Sequence, residues 1–346
     1  MPAYDAFLLV SFGGPERPED VMPFLENVTR GRGIPPERLA GVAEHYYAFG
    51  GVSPLNQQCR DLLAAVRADM AAGGLPLPAY WGNRNWTPYL ADAVRAMADD
   101  GVRRAVAFVT SAYSSYSGCR QYLDDIERAR AAVGAGAPRI DKLRRFFNHP
   151  GFIEPFAEHA RAALRTLPAG LRDGAHLVFT AHSVPVAMAD ASGPAPQRRR
   201  YVAELTEAAR LIAERTCGGR HRWTLAYSSR SGPPSQPWLE PDVCDHLAEL
   251  AKAGTRAVVV VPVGFVSDHM EVRHDLDVEA AEAARSLGLA FARAATPGCH
   301  PAFVSMITDL IRERMGLPVR RAALGAMGVP ARDCPAGCCR YQRRAS

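Results

Sequence analysis

Short apolar runs rich in β-branched residues recur along the chain. Each is followed by polar, turn-forming residues and then by a stretch with helical spacing. The runs cover residues 7–10, 77–82, 105–110, 177–181, 223–228, 257–266 and 289–292. Runs of this length, apolar on both faces, predict buried strands of parallel sheets covered by helices. Helical spacing over 19–28, 38–49, 201–216, 241–252 and onward from 268 fills the intervals. This alternation predicts an α/β fold of two doubly wound domains with parallel sheets and a cleft between them. The expected division is 1–150, with an early insertion at 15–58 placed as a lid, then 151–315, then a cysteine-rich tail over 316–346.

Two turns stand out because chemistry-bearing residues follow their strands directly. The run 176–181 ends in His182-Ser183-Val184-Pro185, and the run 257–266 leads into Ser267-Asp268-His269-Met270-Glu271 and on to Asp277. Both would lie at carboxyl ends of strands, the edge where open α/β sheets bind ligands. Asp268, Glu271, Asp275 and Glu279 are spaced to share one helical face. A neutral imidazole can take a proton or bind a metal near neutral pH. Neighbouring carboxylates can hold a hard cation or relay protons. Read alone, the acidic face is equally a solvated surface, and His182 equally a core histidine bonded to backbone. The turn Phe12-Gly13-Gly14-Pro15 is no phosphate loop, since neither Lys-Ser/Thr nor the Gly-x-Gly-x-x-Gly spacing is present.

Composition narrows the classes. Apolar residues make up 48% and charged residues 22% of 346, with a formal net charge of +5. The basic residues form only short clusters without interleaved aromatics, so nucleic-acid binding is not expected. No apolar run approaches the roughly 20 residues needed to span a bilayer, and no signal-peptide pattern opens the chain. A cytoplasmic monomer is expected, its eight cysteines serving as thiols or metal ligands and not as a disulfide framework. Three of them, Cys334, Cys338 and Cys339, crowd the C-terminal tail, a density that suggests ligation of a soft metal.

Taken together, five segments resemble the ferrochelatases, which insert Fe²⁺ into a porphyrin in haem synthesis. They are Leu-Val-Ser-Phe-Gly-Gly-Pro at 9–15, Gly-Gly-Val-Ser-Pro-Leu at 50–55, Thr-Ala-His-Ser-Val-Pro at 180–185, Ser-Ser-Arg-Ser-Gly-Pro-Pro with Pro-Trp-Leu-Glu-Pro at 228–241, and Gly-Phe-Val-Ser-Asp-His-Met-Glu with Asp-Leu-Asp at 264–277. The likeness is greatest to soluble actinobacterial forms. It implies two Rossmann-like, chelatase-type domains. It also implies His182 and Glu271 as catalytic residues and ligands of the substrate iron, facing each other across the macrocycle. Phe12, Arg30, Arg32, Tyr46, Ser53 and Tyr122 become candidates for binding the porphyrin. Phe12 stands where related enzymes often carry a tyrosine, so it offers iron no hydroxyl.

Mitochondrial relatives have an apolar lip near 29–36, where this chain reads Thr-Arg-Gly-Arg-Gly. Arg30 and Arg32 suit carboxylates. Coproporphyrin III, with four propionates, is therefore the expected substrate together with Fe²⁺. Protoporphyrin IX, with two propionates, is the alternative, as is a porphyrin carrier without catalysis. Some members of the family hold a [2Fe–2S] cluster on three C-terminal cysteines and one internal cysteine. That pattern implies Cys119, Cys334, Cys338 and Cys339 as ligands, with a zinc site as the alternative.

Overall fold

The computed structural model describes residues 4–31, 33–232 and 235–341. Arg32, named above for carboxylate binding, lies outside the described residues. Among the described residues, eight strands form two all-parallel sheets of four. The first takes the order β2-β1-β3-β4, from β1 (Ala6–Ser11), β2 (Ala79–Asn83), β3 (Arg104–Val109) and β4 (Arg139–Lys142). The second takes the order β6-β5-β7-β8, from β5 (His176–His182), β6 (Trp223–Ser228), β7 (Ala257–Val261) and β8 (Ala290–Arg293). Strand β1 is apolar up to Ser11, and β5 is apolar but for Thr180 and its two terminal histidines, as central strands covered on both faces should be. The α/β prediction with two doubly wound sheets therefore stands.

Local differences have physical reasons. Strand β4 escapes the apolar pattern because its sequence is Arg-Ile-Asp-Lys, an edge strand with one buried side chain. The run 257–266 is strand only to Val261; Pro262 and Gly264 divert the rest into a loop. The cluster Phe146, Phe147, Phe152, Phe156 and Phe303 is buried where the chain passes from one sheet to the next. The closing helix Pro301–Met315 packs on both Leu55–Ala72 and Pro150–Thr166. One apolar cluster thus runs from β1 through these helices to β5 and β7.

The early insertion packs differently. Helices Val21–Thr29 and Pro36–Tyr47 share a small separate cluster of Val21, Phe24, Leu25 and Ala43, with Tyr46 and Trp86 at its margin. No helix among the described residues is long and apolar enough to cross a membrane.

Candidate active site

His182 is the last residue of β5, where the strand stops pairing and its side chain leaves the sheet. Its Nδ1 is bonded to the carbonyl of Ser183, which turns Nε2 toward Glu271 Oε2 at 3.6 Å. Glu271 comes from the segment after β7. Met270 and Glu271 start a helical turn, which widens into a π-helix over Val272–Ala280. His269 Nε2 approaches the same carboxylate at 3.7 Å. The side chain of His182 is 33% and that of Glu271 46% exposed, so both can be reached from solvent.

The electrostatics follow from that placement. Burial works against charge on His182, but the Glu271 carboxylate outweighs it and holds the imidazole up to about 9. Burial likewise opposes charge on Glu271, and His182 and His269 overcome it, holding the carboxyl down to about 2. The two form an ion pair at neutral pH. Asp275, one turn on, is pushed up to about 6 by burial, against a hydrogen bond from Ser229 Oγ, with Glu271 and Glu279 adding like charge. A carboxyl poised there can gain or lose a proton near neutral pH.

Of the four carboxylates expected on one face, three stay together. Steps of four residues nearly complete a π turn of about 4.4, so Glu271, Asp275 and Glu279 form a ladder leading outward. Asp268 does not join them. It precedes the helix, and its carboxylate is paired with Arg293 Nη1 at 3.2 Å, which also binds Asp277. At the outer end, His274, Asp275 and Glu279 present ligand atoms within 4.8 Å of one another.

Residues of the early insertion pack against this ladder. His45 stacks on His274 with ring centroids 3.6 Å apart. Arg273 lies over the Phe49 ring at 5.3 Å, and Arg38 donates to the Ser231 carbonyl at 3.2 Å. Tyr46 is half-buried near the site. Burial and the charges of Glu271 and Asp275 push its phenol above the ordinary range.

The remaining sequence candidates are divided. Phe12 is 37% exposed and meets Phe24 edge-on at 6.4 Å, and Phe24 meets Tyr46 at 6.0 Å, so all three line one aromatic wall. Tyr122 sits behind that wall, buried under the Arg84 guanidinium at 4.6 Å from its ring. Ser53 is buried; its Oγ accepts from Leu55 N–H at 3.4 Å, and its own N–H donates to the Pro15 carbonyl at 2.8 Å. Close packing fixes it: a side chain on Gly14 would meet Ser53 Cβ at 2.7 Å. Arg30 is exposed just past the end of the helix Val21–Thr29.

The expectation that His182 and Glu271 stand on opposite faces of a macrocycle fails. A flat ring between two side chains needs about 7 Å for its two van der Waals contacts. The 3.6 Å separation leaves no room for it, so both groups address one side. His45, His269, His274 and Ser229 were missed by the sequence reading. Only His269 and His274 carried a signal, as histidines beside the spaced carboxylates.

The tail runs back over the chain, bonding Asn148, Glu207 and Gly193. Cys119 is buried near the end of the helical segment Tyr116–Arg120, and Cys119, Cys334 and Cys338 line a cavity of about 60 Å³. The Cys338 and Cys339 sulfurs are 3.6 Å apart. Cys334 lies beside Cys119 and Cys338, whose thiols hold its own far below the ordinary range, with Lys142 and Arg145 nearby in support. All four predicted cysteines are therefore brought together.

Two parallel sheets with a metal-capable residue pair at their carboxyl edge define a chelatase fold. Solved structures agree: a Bacillus subtilis SirB bound to Fe³⁺ superposes with a TM-score of 0.52 at 12% identity, covering 90% of this chain and 95% of that one. The chain belongs to the ferrochelatase family, whose model matches residues 4–315. It is 55% identical to the coproporphyrin III ferrochelatase of Streptomyces coelicolor over 97% of this chain and 93% of that protein. It is 56% identical to the one of Nocardia farcinica over 99% and 98%. A ferrochelatase of Rhodopirellula baltica is 52% identical over 99% and 95%.

Proposed function

We propose that this chain inserts Fe²⁺ into coproporphyrin III to make the iron porphyrin of haem biosynthesis, using His182 and Glu271. The His182–Glu271 pair at the strand edge, beneath an aromatic wall, carries the proposal. The macrocycle lies between the pair and the wall of Phe12 and Tyr46. With Nδ1 engaged by Ser183, His182 presents Nε2 to the guest. Arriving iron displaces the Nε2 proton, since a metal ligand must be deprotonated. The ring is bent so that nitrogen lone pairs point at the ion. Its two pyrrole protons leave through Glu271 and the near-neutral Asp275 to Glu279 and solvent. A carrier would need no such relay. The two relatives named for coproporphyrin III, at 55% and 56% identity, support that substrate. Arg30 and Arg32 would hold its extra propionates, whereas Ser53 and Tyr122 shape the site from behind. The test is anaerobic Fe²⁺ with coproporphyrin III and protoporphyrin IX in parallel, followed by absorbance. Faster turnover of protoporphyrin IX would overturn the substrate, and no turnover of either would overturn the activity.

We further propose that Cys119, Cys334, Cys338 and Cys339 hold a [2Fe–2S] cluster. The donor set fits. Cys119, Cys334 and Cys338 line one cavity and the Cys339 sulfur is 3.6 Å from that of Cys338, so four thiols converge, the number such a cluster takes. Lys142 and Arg145 offset the negative charge of four thiolates. When bound, the cluster would supply a one-electron centre. Visible absorbance of freshly purified protein decides: a colourless protein with stoichiometric zinc rejects the cluster. Within this reading the division of the chain near 150 and 315 follows the two sheets and the tail. The eight cysteines, all unpaired as thiols, support a reducing cytoplasm.

A further inference from the structure

The backbone around His182 is held by more than its own strand. Ser183 N–H donates to the Ser228 carbonyl at 2.8 Å, and Ser183 Oγ donates to the Leu239 carbonyl at 2.8 Å. The carbonyl of His182 itself accepts from Tyr201 Oη at 2.8 Å. This last bond fixes the peptide plane between His182 and Ser183. The carbonyl of Ser183, just beyond that plane, receives the His182 ring. A rotation of the plane would therefore re-aim the imidazole.

Tyr201 is buried at the start of the helix Arg200–Cys217. Its N–H donates to Ser192 Oγ at 2.9 Å, and the Ser192 carbonyl accepts from Arg200 N–H at 3.2 Å. Ser192 is fully buried. The next residue, Gly193, donates its N–H to Cys339 Sγ at 3.2 Å, and its carbonyl accepts from Cys339 N–H at 3.5 Å. Cys339 is buried and adopts a left-handed φ of 55°, a conformation disfavoured for a side chain with Cβ and kept here by its surroundings. The path from tail to site is thus Cys339, Gly193, Ser192, Tyr201, His182, each step a hydrogen bond or a peptide link.

We propose that Tyr201 is the positioning residue for His182, and that the C-terminal tail holds Tyr201 in place through Cys339 on Gly193. The proposal rests on His182 being the group that meets the porphyrin. Tyr201 does not touch the guest; it acts by keeping the Nε2 of His182 aimed at the hollow. Its loss should lower turnover and leave porphyrin affinity alone, because the aromatic wall is untouched.

The experiment compares the full-length protein with Tyr201→Phe, Ser192→Ala and Cys339→Ser. Tyr201→Phe keeps the ring and removes only the donor. Three readings are taken: kcat and KM for coproporphyrin III, porphyrin affinity by fluorescence, and the NMR signal of the His182 ring in histidine-labelled protein, assigned by its absence in His182→Ala. Tyr201→Phe is expected to lower kcat on the order of tenfold or more, as a misplaced catalytic group does. KM and affinity should stay unchanged while the His182 signal moves. Ser192→Ala and Cys339→Ser should move that signal in the same direction. An unmoved signal and unchanged kcat in Tyr201→Phe would overturn the positioning role. A moved signal in Tyr201→Phe with none in Cys339→Ser would overturn the part given to the tail. If the unaltered protein metallates no porphyrin, the functional reading fails, while the NMR readings still judge the brace.

Discussion

Replacing Glu271 by glutamine removes the charge that keeps His182 protonated while preserving the shape of the side chain. With Glu271 in place the imidazole titrates at about 9. At pH 7.5 it is then protonated in about 97% of molecules. In Glu271→Gln the largest upward influence is gone, and burial pulls His182 back toward its ordinary 6.5 against the lesser pulls of the Ser183 carbonyl and Asp275. At that ordinary value its protonated fraction at pH 7.5 is about one in ten. The sign for stability follows the same logic. Because the folded value is raised, the pair stabilises the fold fully below about 6.5 and loses that contribution as pH rises through about 9. On the acid side, the contribution of Glu271 is lost as pH falls from 4.5 through about 2. The assay is a pH titration of the His182 ring signal in labelled protein. A companion measurement is the KM for Fe²⁺ under anaerobic conditions, which should fall about tenfold per pH unit between roughly 7 and 9 in the unaltered enzyme. A His182 signal that still titrates near 9 in Glu271→Gln would refute the assignment of that charge to Glu271.

His182→Ala should abolish metal insertion while porphyrin still binds with unchanged fluorescence quenching; residual turnover at the original rate would remove His182 from the chemistry. Joint replacement of Arg30 and Arg32 by alanine should raise the coproporphyrin III KM and leave kcat alone, and an unaltered KM would make both spectators. Cys119→Ala should bleach the visible absorbance of the purified protein, whereas a retained spectrum would exclude Cys119 as a ligand. Glu204 is fully buried against Arg145 at 3.5 Å and Arg200 at 3.3 Å. Glu204→Gln leaves those cations short of a counter-charge and should cost about 3 kcal/mol in urea denaturation. An unshifted midpoint would show that the cations relax to solvent.

The central strands were legible because their apolar runs are unbroken, and with them came His182 at the end of β5 and the acidic segment after β7. What periodicity hid was anything set by contact across the chain. Asp268 has the spacing of the ladder, yet Arg293, far along the sequence, claims it. Ser53 has the identity of a ligand-binding hydroxyl, yet its Oγ is buried and accepts from Leu55 N–H. The stacking of His45 on His274 joins two elements whose separate sequences say nothing of each other. That His182 and Glu271 share one side is likewise a matter of side-chain direction. A resemblance fixes which residues matter more readily than how they are aimed.

The continuous apolar cluster through both sheets, set against the small one under Val21, Phe24, Leu25 and Ala43, has a consequence for turnover. Prising the two halves apart would strip phenylalanines from their neighbours, a penalty no planar guest repays. The two helices Val21–Thr29 and Pro36–Tyr47 and the turn after them hold on by a smaller set: a ring stack at His45, a guanidinium on Phe49, an arginine bond to Ser231, Asn27 on the Asn85 carbonyl and Phe24 against Phe12 and Trp86. Admission and discharge of the pigment should therefore proceed by a hatch that lifts while the vault stays shut.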